Sequence, residues 1–498
     1  MLCTQCIFAS NADLGDPVRT EVIVVGAGPT GLMLAHELQL AGIPVVVLER
    51  EHARNAQSRA TKLQPRTAEV LDLRGLLDPL LEDAPSRNEA GGHFAMLPVE
   101  LDCRPWRTRH PHPVALPQAK LEAFLEQRLA DQGVPVLRGH EVSAIEQDAD
   151  GVTAGGIRGS YLVACDGGHS TVRRLLNVPF PGRAGRTSSV AADITLASRS
   201  ENVPAAAGHA SRYTRVANGF FTMLAPLDGG LYRLIFAKLS GEGRGRGVPV
   251  AAEEVREALQ AAYGPETELG ELRAASRFSD AVRQVESYRE GRVLFAGDAA
   301  HIHMPIGGQG VNLGIQDAVN LGWKLAATVR GWAPEGLLDS YHTERHPVAA
   351  RVLQHTRAQA VLLNPGRDEE VAAVRDIVTD LLRLPEANRV ISGLMSGLDI
   401  QYPGLGTRMI DLDLTTKDGP TRVSRLMHPG RGLLLSLDGK HRSLDGWNNR
   451  LDHVTAKATE GIDNLDAVLI RPDGYIAWPH ADGTPLEAAL TRWFGPQA

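Results

Sequence analysis

The chain has 498 residues, with 59 acidic against 52 basic side chains, a formal net charge of -7 and a hydrophobic fraction of 43%. Such a length exceeds what one core supports, so two or three domains are expected. The acidic balance excludes a basic field for nucleic acid or an anionic membrane surface, and no apolar run approaches the ~20 residues a bilayer needs.

Residues 1–19 carry Asp13 and Asp16 but no basic leader, and read as a loose tail rather than a signal peptide. Four cysteines, Cys3, Cys6, Cys103 and Cys165, exclude a disulfide framework and suit a reducing, cytoplasmic setting. Cys3-x-x-Cys6 has neither the second ligand pair of a zinc site nor the βαβ frame of a redox motif, so it is assigned no role and no metal is expected. Next, an apolar strand, Glu21 to Val25, runs into Gly26-x-Gly28-x-x-Gly31 and a helical stretch, and a second strand, Ile43 to Leu48, ends in Glu49. A glycine-rich turn alone fits any α/β protein. With the strand before it, the helix after it and an acidic residue about 20 positions on, the turn reads as a dinucleotide site, Pro29 and Thr30 included. Gly26 permits the tight turn, Gly28 lets a pyrophosphate approach the backbone, and Gly31 lets the helix pack close to the strand.

Helical signals follow at Thr67 to Leu81 and Lys120 to Gln132, and strand signals near Glu141 to Ile145 and Tyr161 to Cys165. From about 186 to 277 the period changes to short alternating strands, Gly219 to Leu224 and Tyr232 to Ala237, then a helix at Ala252 to Ala262. This predicts a separate, mostly antiparallel sheet with one exposed face. The α/β signal resumes at Gly291 to Asp298 with a long helix, Val311 to Arg330, so the dinucleotide domain is discontinuous and its junction with the sheet is a natural ligand site. After about 390, strands at Gly432 to Leu437 and Ala467 to Ile470, a Pro472-Asp473-Gly474 turn and an amphipathic helix predict a small C-terminal α/β domain, which contains no cysteine.

Two further aspartates follow strands and so stand where open α/β sheets bind ligands. Asp166 is placed to orient a loop at the pyrophosphate crevice, and Asp298 to accept hydrogen bonds from sugar or ribityl hydroxyls. Beyond Asp298, Met304-Pro-Ile-Gly-Gly-Gln-Gly-Val-Asn-Leu-Gly314 opens the long helix. Backbone N–H groups and the positive end of a helix dipole converge there, a good setting for an electron-rich ring edge such as a flavin's.

Taken together, Gly26-x-Gly28-x-x-Gly31 with Glu49, Asp166-Gly167, and Gly297-Asp298 with Pro305 and the glycine loop resemble the class A, single-component FAD-dependent aromatic hydroxylases over nearly the whole chain. The resemblance is closest to the branch acting on polyketides, the tetracycline and angucycline hydroxylases and rifampicin monooxygenase. Gly297-Asp-Ala-Ala-His-Ile-His303, Gln316 to Lys324, Leu338 to Arg345 and Arg471 to Trp478 carry it. It implies a Rossmann-like FAD-binding domain (20–92, 112–185 and 278–388), an inserted substrate-binding sheet (93–111 and 186–277) and a thioredoxin-like C-terminal domain without redox cysteines (389–498). It further implies NADPH as a transient reductant and oxygen carried as a flavin C4a-hydroperoxide toward a bulky polycyclic substrate, in a monomer or homodimer.

By position, the resemblance gives Glu49 the adenosine ribose, with Arg50 beside it. Arg59 and Gln118 take the phosphate and ribityl region, Asp298 the pyrophosphate-ribityl segment, and Pro305, Gly308, Gly310, Val311 and Asn312 the isoalloxazine. The stretch Ser58 to Arg66 departs from the family's more glycine-rich, histidine-containing pattern through Lys62 and Gln64. No general base stands out: His93, Tyr213, Arg215 and Tyr232 all have ordinary surface or packing explanations. Phe94, Met96, Phe221 and Met223 are candidate pocket walls, although plain sheet core suits the last two better. Competing functions are a non-redox polyketide cyclase in which FAD is structural and a ligand-sequestering flavoprotein. A halogenase is disfavoured by the lack of a W-x-W-x-I-P element.

Overall fold

A computed structural model describes residues 18–54, 60–82, 91–206, 208–239, 248–363, 369–440, 442–459, 466–479 and 483–497. The tail with Cys3 and Cys6, and Arg59, lie outside them. At the centre is a six-stranded sheet in the order Arg289–Glu290, Val293–Phe295, Tyr161–Ala164, Val22–Val25, Val45–Glu49, Val136–Arg138. Its neighbours are parallel except for the first pair. Val22, Ile23, Val24, Leu162, Val163 and the whole of Val293–Phe295 are fully buried, as β-branched and aliphatic runs covered on both faces should be. The carboxyl ends of four of these strands bring Gly26, Glu49, Asp166 and Gly297-Asp298 to one edge of the sheet. Helix Pro29–Leu40 packs on Gln309–Val329 and on Gln118–Asp131 beside that sheet.

Several boundaries differ from expectation for local reasons. The helix expected over Thr67 to Leu81 is two, Pro65–Asp72 and Leu77–Leu81, because Gly75 takes a left-handed φ of 65° between them. No strand forms over Glu141 to Ala144: the chain leaves the sheet edge at Gly139 (φ 70°), and Ile145–Gln147 pairs with Val152–Ala154 in a small side sheet. The long helix starts at Gln309, two residues early, from a left-handed Gly308.

Between the parallel strands the chain builds a five-stranded antiparallel sheet in the order Thr214–Ala217, Phe220–Pro226, Tyr232–Lys238, Ser188–Ser198, Glu268–Ser279. One face packs on helix Ala252–Tyr263 through Phe220, Leu224, Leu234, Phe236, Val255 and Leu259. Strand alternation sends Phe221 and Met223 to the other face, where both are half-buried. The sheet-core reading of those two residues is therefore corrected: the core places belong to their neighbours Phe220, Thr222 and Leu224.

A third unit carries a four-stranded mixed sheet, Leu451–Thr455, Gly432–Ser436, Ala467–Ile470, Ile476–Pro479, and helix Leu486–Phe494. A buried ion network locks it on. Arg471 donates through both Nη atoms to Glu344 at 2.8 Å and through Nε to Asp473 at 3.0 Å, while Lys324 Nζ reaches Glu344 at 2.8 Å. Arg422 bonds Asp72 across the same junction. Among the described residues no helix is long and apolar enough to cross a membrane.

Candidate active site

Three glycines of the first turn do three different things. Gly26 has φ +106°, and a Cβ there would lie 2.4 Å from the Cys165 carbonyl oxygen, so the turn passes flat against the neighbouring strand. At Gly31 a Cβ would meet the Gly26 carbonyl oxygen at 2.0 Å, so only glycine lets the helix begin so close to its strand. A Cβ at Gly28 would meet nothing within 4 Å. That open side, at the start of a helix whose first turn has Pro29 at its head and no side-chain cap, leaves backbone donors free for an anion.

The second loop closes onto the first through Thr30. Its Oγ1 sits where a Cβ would stand on Gly314 (2.2 Å) and on Gly297 (2.7 Å), so two glycines make room for one hydroxyl. Helix Gln309–Val329 also begins without a side-chain cap. Two bare helix N-termini thus stand side by side at one sheet edge, each worth about half a positive charge. Behind them, buried Asp317 holds the loop: it accepts from Gly297 N at 3.2 Å, from Arg345 Nε at 2.7 Å, and bonds His301 Nε2 at 2.7 Å. Arg345 and His301 keep its carboxyl below the usual range despite burial. Sequence reasoning gave Asp317 no role, although it lies in a stretch that carried the resemblance, because a buried partner is invisible to local pattern.

The other expected residues lie as follows. Glu49 accepts from Ala27 N at 2.7 Å and from Glu51 N at 3.0 Å, so its carboxylate braces the glycine turn. Asp166 accepts from Thr171 N (2.7 Å) and Val172 N (3.1 Å) through Oδ2, while Oδ1 is buried without a partner, and burial pushes its carboxyl up. Gln118 accepts from Ala60 N at 3.2 Å. Asp298 is exposed, with Oδ1 3.8 Å from where a Cβ on Gly310 would be; Pro305 is exposed and Val311 half-buried beside it. Asn312 is spent on the protein: it accepts from Gln64 N (2.7 Å) and donates to Gly308 O (2.7 Å) and Lys62 O (3.3 Å). Arg50, next to Glu49, is exposed and pairs with Glu51 at 3.2 Å.

Tyr213, Arg215 and Tyr232 serve the sheet: Tyr263 donates to the Tyr213 carbonyl, Arg215 to the Asn202 carbonyl, and the Tyr232 hydroxyl accepts from Arg199. His93 accepts from Met96 N at 3.3 Å and is pushed down to about 3 by burial, with Lys62 adding to it. Phe94 is buried with Leu97, Leu101 and Met395, and Met96 is half-buried with a left-handed φ of 55°. Among the described residues no cluster of histidine, cysteine and carboxylate could hold a metal ion.

An open glycine beside a helix start and a second bare helix start stapled to it fit the electron-rich pyrophosphate and ring edge of a dinucleotide, and the acceptor oxygens of Asp166 and Glu49 fit its sugar hydroxyls. The fold and site therefore define a dinucleotide-binding flavoprotein. An FAD-binding-domain family model matches residues 19–356, and an aromatic-ring hydroxylase C-terminal model matches 402–497. The chain is 44% identical to a 12-dehydrotetracycline 5-monooxygenase/anhydrotetracycline 6-monooxygenase of Streptomyces rimosus, over 97% of this chain and 100% of that one. It is 42% identical to a rifampicin monooxygenase of Streptomyces venezuelae, over 95% and 98% respectively. Among solved structures, an anhydrotetracycline hydroxylase from Streptomyces rimosus superposes with a TM-score of 0.88 at 44% identity, covering 97% of this chain and 100% of that chain. A Diels-Alderase of pyrroindomycin biosynthesis gives 0.82 at 38%, covering 96% and 100%. The chain belongs to the FAD-dependent aromatic-ring hydroxylases.

Proposed function

We propose that the protein is an FAD-dependent, NAD(P)H-consuming monooxygenase that hydroxylates or epoxidises a bulky polyketide-type natural product. The observation that carries this reading is the pair of bare helix N-termini joined through Thr30, which supplies positive potential at two points of one cleft. Tetracycline and rifampicin relatives of full length support the substrate class.

When bound, FAD supplies the redox and oxygen-transfer chemistry. The chain's residues hold, orient and shield it. Gly28 admits the pyrophosphate to the N–H groups of Pro29–Leu40's first turn, where Thr30 and Gly31 lie. Glu49 takes the adenosine ribose hydroxyls, Gln118 and Asp298 the ribityl and phosphate region, and Asp166 the loop at the crevice. The N–H groups of Gly310 and Val311 face the isoalloxazine, with Gly308 and Pro305 framing it and Asn312 fixing the Gly308 turn. The antiparallel sheet offers Phe221 and Met223 as the apolar wall of a substrate chamber that excludes water. The four-stranded mixed sheet with its closing helix is read as a thioredoxin-like domain whose role is packing, since it holds no cysteine.

The Diels-Alderase neighbour favours one second reading, a non-redox cyclase with structural FAD. Anaerobic NADPH-dependent bleaching of the flavin band, with and without tetracyclic, angucyclic and linear polyketides, decides between them. Bleaching accelerated by a polycyclic compound, then reoxidation with one oxygen added to it, is the expected outcome. Flavin that stays oxidised while a linear substrate becomes an isomer of equal mass would establish the cyclase instead.

A further inference from the structure

Lys62 stands beside the start of the long helix, and its surroundings point to a use. Its short strand, Lys62–Leu63, pairs with Val114–Ala115, and Leu63 is buried in the core of the parallel-sheet unit. Alternation therefore turns the Lys62 side chain the opposite way. The backbone is pinned at the start of the long helix, because the Lys62 carbonyl accepts from Asn312 Nδ2 at 3.3 Å and the Gln64 N–H donates to Asn312 Oδ1 at 2.7 Å. Its charge acts on two histidines, His93 and His209, whose rings meet edge to face at 6.4 Å. His209 in turn leads into Thr214, which pairs with Met223 on the open face of the sheet.

Among the described residues no ion pair or hydrogen bond is made by the Lys62 ammonium. Glu100, the carboxylate that acts on His209, is exposed and makes no ion pair with Lys62. Burial pushes both histidines toward their neutral forms. Burial also pulls the half-buried Lys62 ammonium down from its ordinary value, and an anionic ligand would offset that cost. A carboxylate or phosphate is best met by a guanidinium fork, whereas one lysine in such a place matches a single oxyanion.

We infer that Lys62, between the flavin-side loop and the His93–His209 pair, binds an acidic hydroxyl of the substrate, a phenol or enol of an aromatic polyketide held as its anion. On binding, the hydroxyl's proton passes to solvent. The inference rests on the substrate class proposed above.

The FAD-loaded protein is titrated with alizarin, a dihydroxyanthraquinone whose visible band reports its own ionisation, and with its dimethyl ether. Bound to the wild-type protein, alizarin should ionise about one pH unit or more below the free dye. Lys62→Met should abolish that shift and Lys62→Arg keep it, while the ether binds wild type and Lys62→Met alike. Flavin content checks that each variant is folded. An unshifted dye on the wild type, failure of alizarin to bind, equal shifts in wild type and Lys62→Met, or a change in flavin affinity alone would each overturn the inference. A Lys62-dependent shift in a protein that never oxidises NADPH would overturn the monooxygenase reading and leave this one standing; bleaching with an unshifted dye would do the reverse.

Discussion

Placing one methyl group at Gly28 and the same methyl at Gly31, three residues on, should give two flavin-poor proteins for opposite reasons. At Gly31 the new Cβ would sit 2.0 Å from the Gly26 carbonyl oxygen, which is backbone and cannot rotate aside. The turn must open, at a cost of about 1–3 kcal/mol or more from overpacking. Gly28 has φ -80° and ψ 178°, which alanine adopts freely, and its Cβ would touch nothing within 4 Å. Gly28→Ala should therefore melt no lower than the wild type, and the stiffer unfolded chain raises stability by about 0.4–1 kcal/mol. The methyl does, however, occupy the space a pyrophosphate needs to reach the helix N–H groups. Losing one or two such charge-assisted hydrogen bonds costs about 1.5–3 kcal/mol each, more than tenfold in FAD affinity. Thermal melts of the flavin-free proteins, followed by titration with FAD, separate the two effects. Wild-type FAD affinity in Gly28→Ala, or a melt lowered by more than about 1 kcal/mol, would refute the assignment of that space to the pyrophosphate.

Three further outcomes follow from the buried contacts. Gly314→Ala sets a Cβ 2.2 Å from Thr30 Oγ1, which Gly297 crowds from the other side, so FAD loading and stability should fall by about 1–3 kcal/mol. Adding Thr30→Ala should recover most of the loss, and a double variant no better than the single would count against the staple. Arg471→Met removes the fork on Glu344 and should cost about 3–5 kcal/mol, seen in calorimetry as the C-terminal unit melting ahead of the rest. An unchanged single transition would argue against the network. Asp72 is held down to about 2 by His110 and Arg422, and Glu344 to about 2 by Lys324 and Arg471, both against the pull of burial. Folded values lying below unfolded ones mean a stabilisation that is complete above pH ~4.5 and lost as the pH falls toward 2, together about 3–5 kcal/mol after solvent screening at Asp72. Denaturant titrations across that window check it; a flat stability from pH 5 to 2.5 would exclude these two carboxylates as the cause.

How far the site was legible depended on whether a residue's job is local. The glycine turn announces itself because strand, turn and helix are contiguous and each glycine answers to backbone within a few residues or on the adjoining strand. Glu49 and Asp298 were placed at the sheet edge by the same logic, a polar residue just past an apolar strand, and both stand at strand ends of the central sheet. One left-handed glycine, Gly75, broke an expected helix in two, and another, Gly308, moved a helix start by two residues, each overriding a continuous apolar pattern. The face assignment of Phe221 and Met223 failed for another reason: a sheet strand alternates, and nothing in Gly219 to Leu224 says which side a distant helix, Ala252–Tyr263, will cover.

The stretches that carry the family resemblance most strongly do a different kind of work from the one a motif suggests. Lys324, Glu344, Arg345, Arg471 and Asp473 are all at least nine-tenths buried, and none of them lies on the cleft edge where Gly28 and Gly310 open. They hold a charged seam between the C-terminal unit and the helices Gln309–Val329 and Ser340–Leu362, whose desolvation is tolerable only with every partner present. A seam of that kind resists piecemeal substitution whatever the substrate. Lys62 and the open face of the antiparallel sheet lie outside it, on ground that can change without unmaking the fold. On the functions proposed above, substrate recognition falls to residues outside this seam, which is where a chain of this fold can acquire its own chemistry.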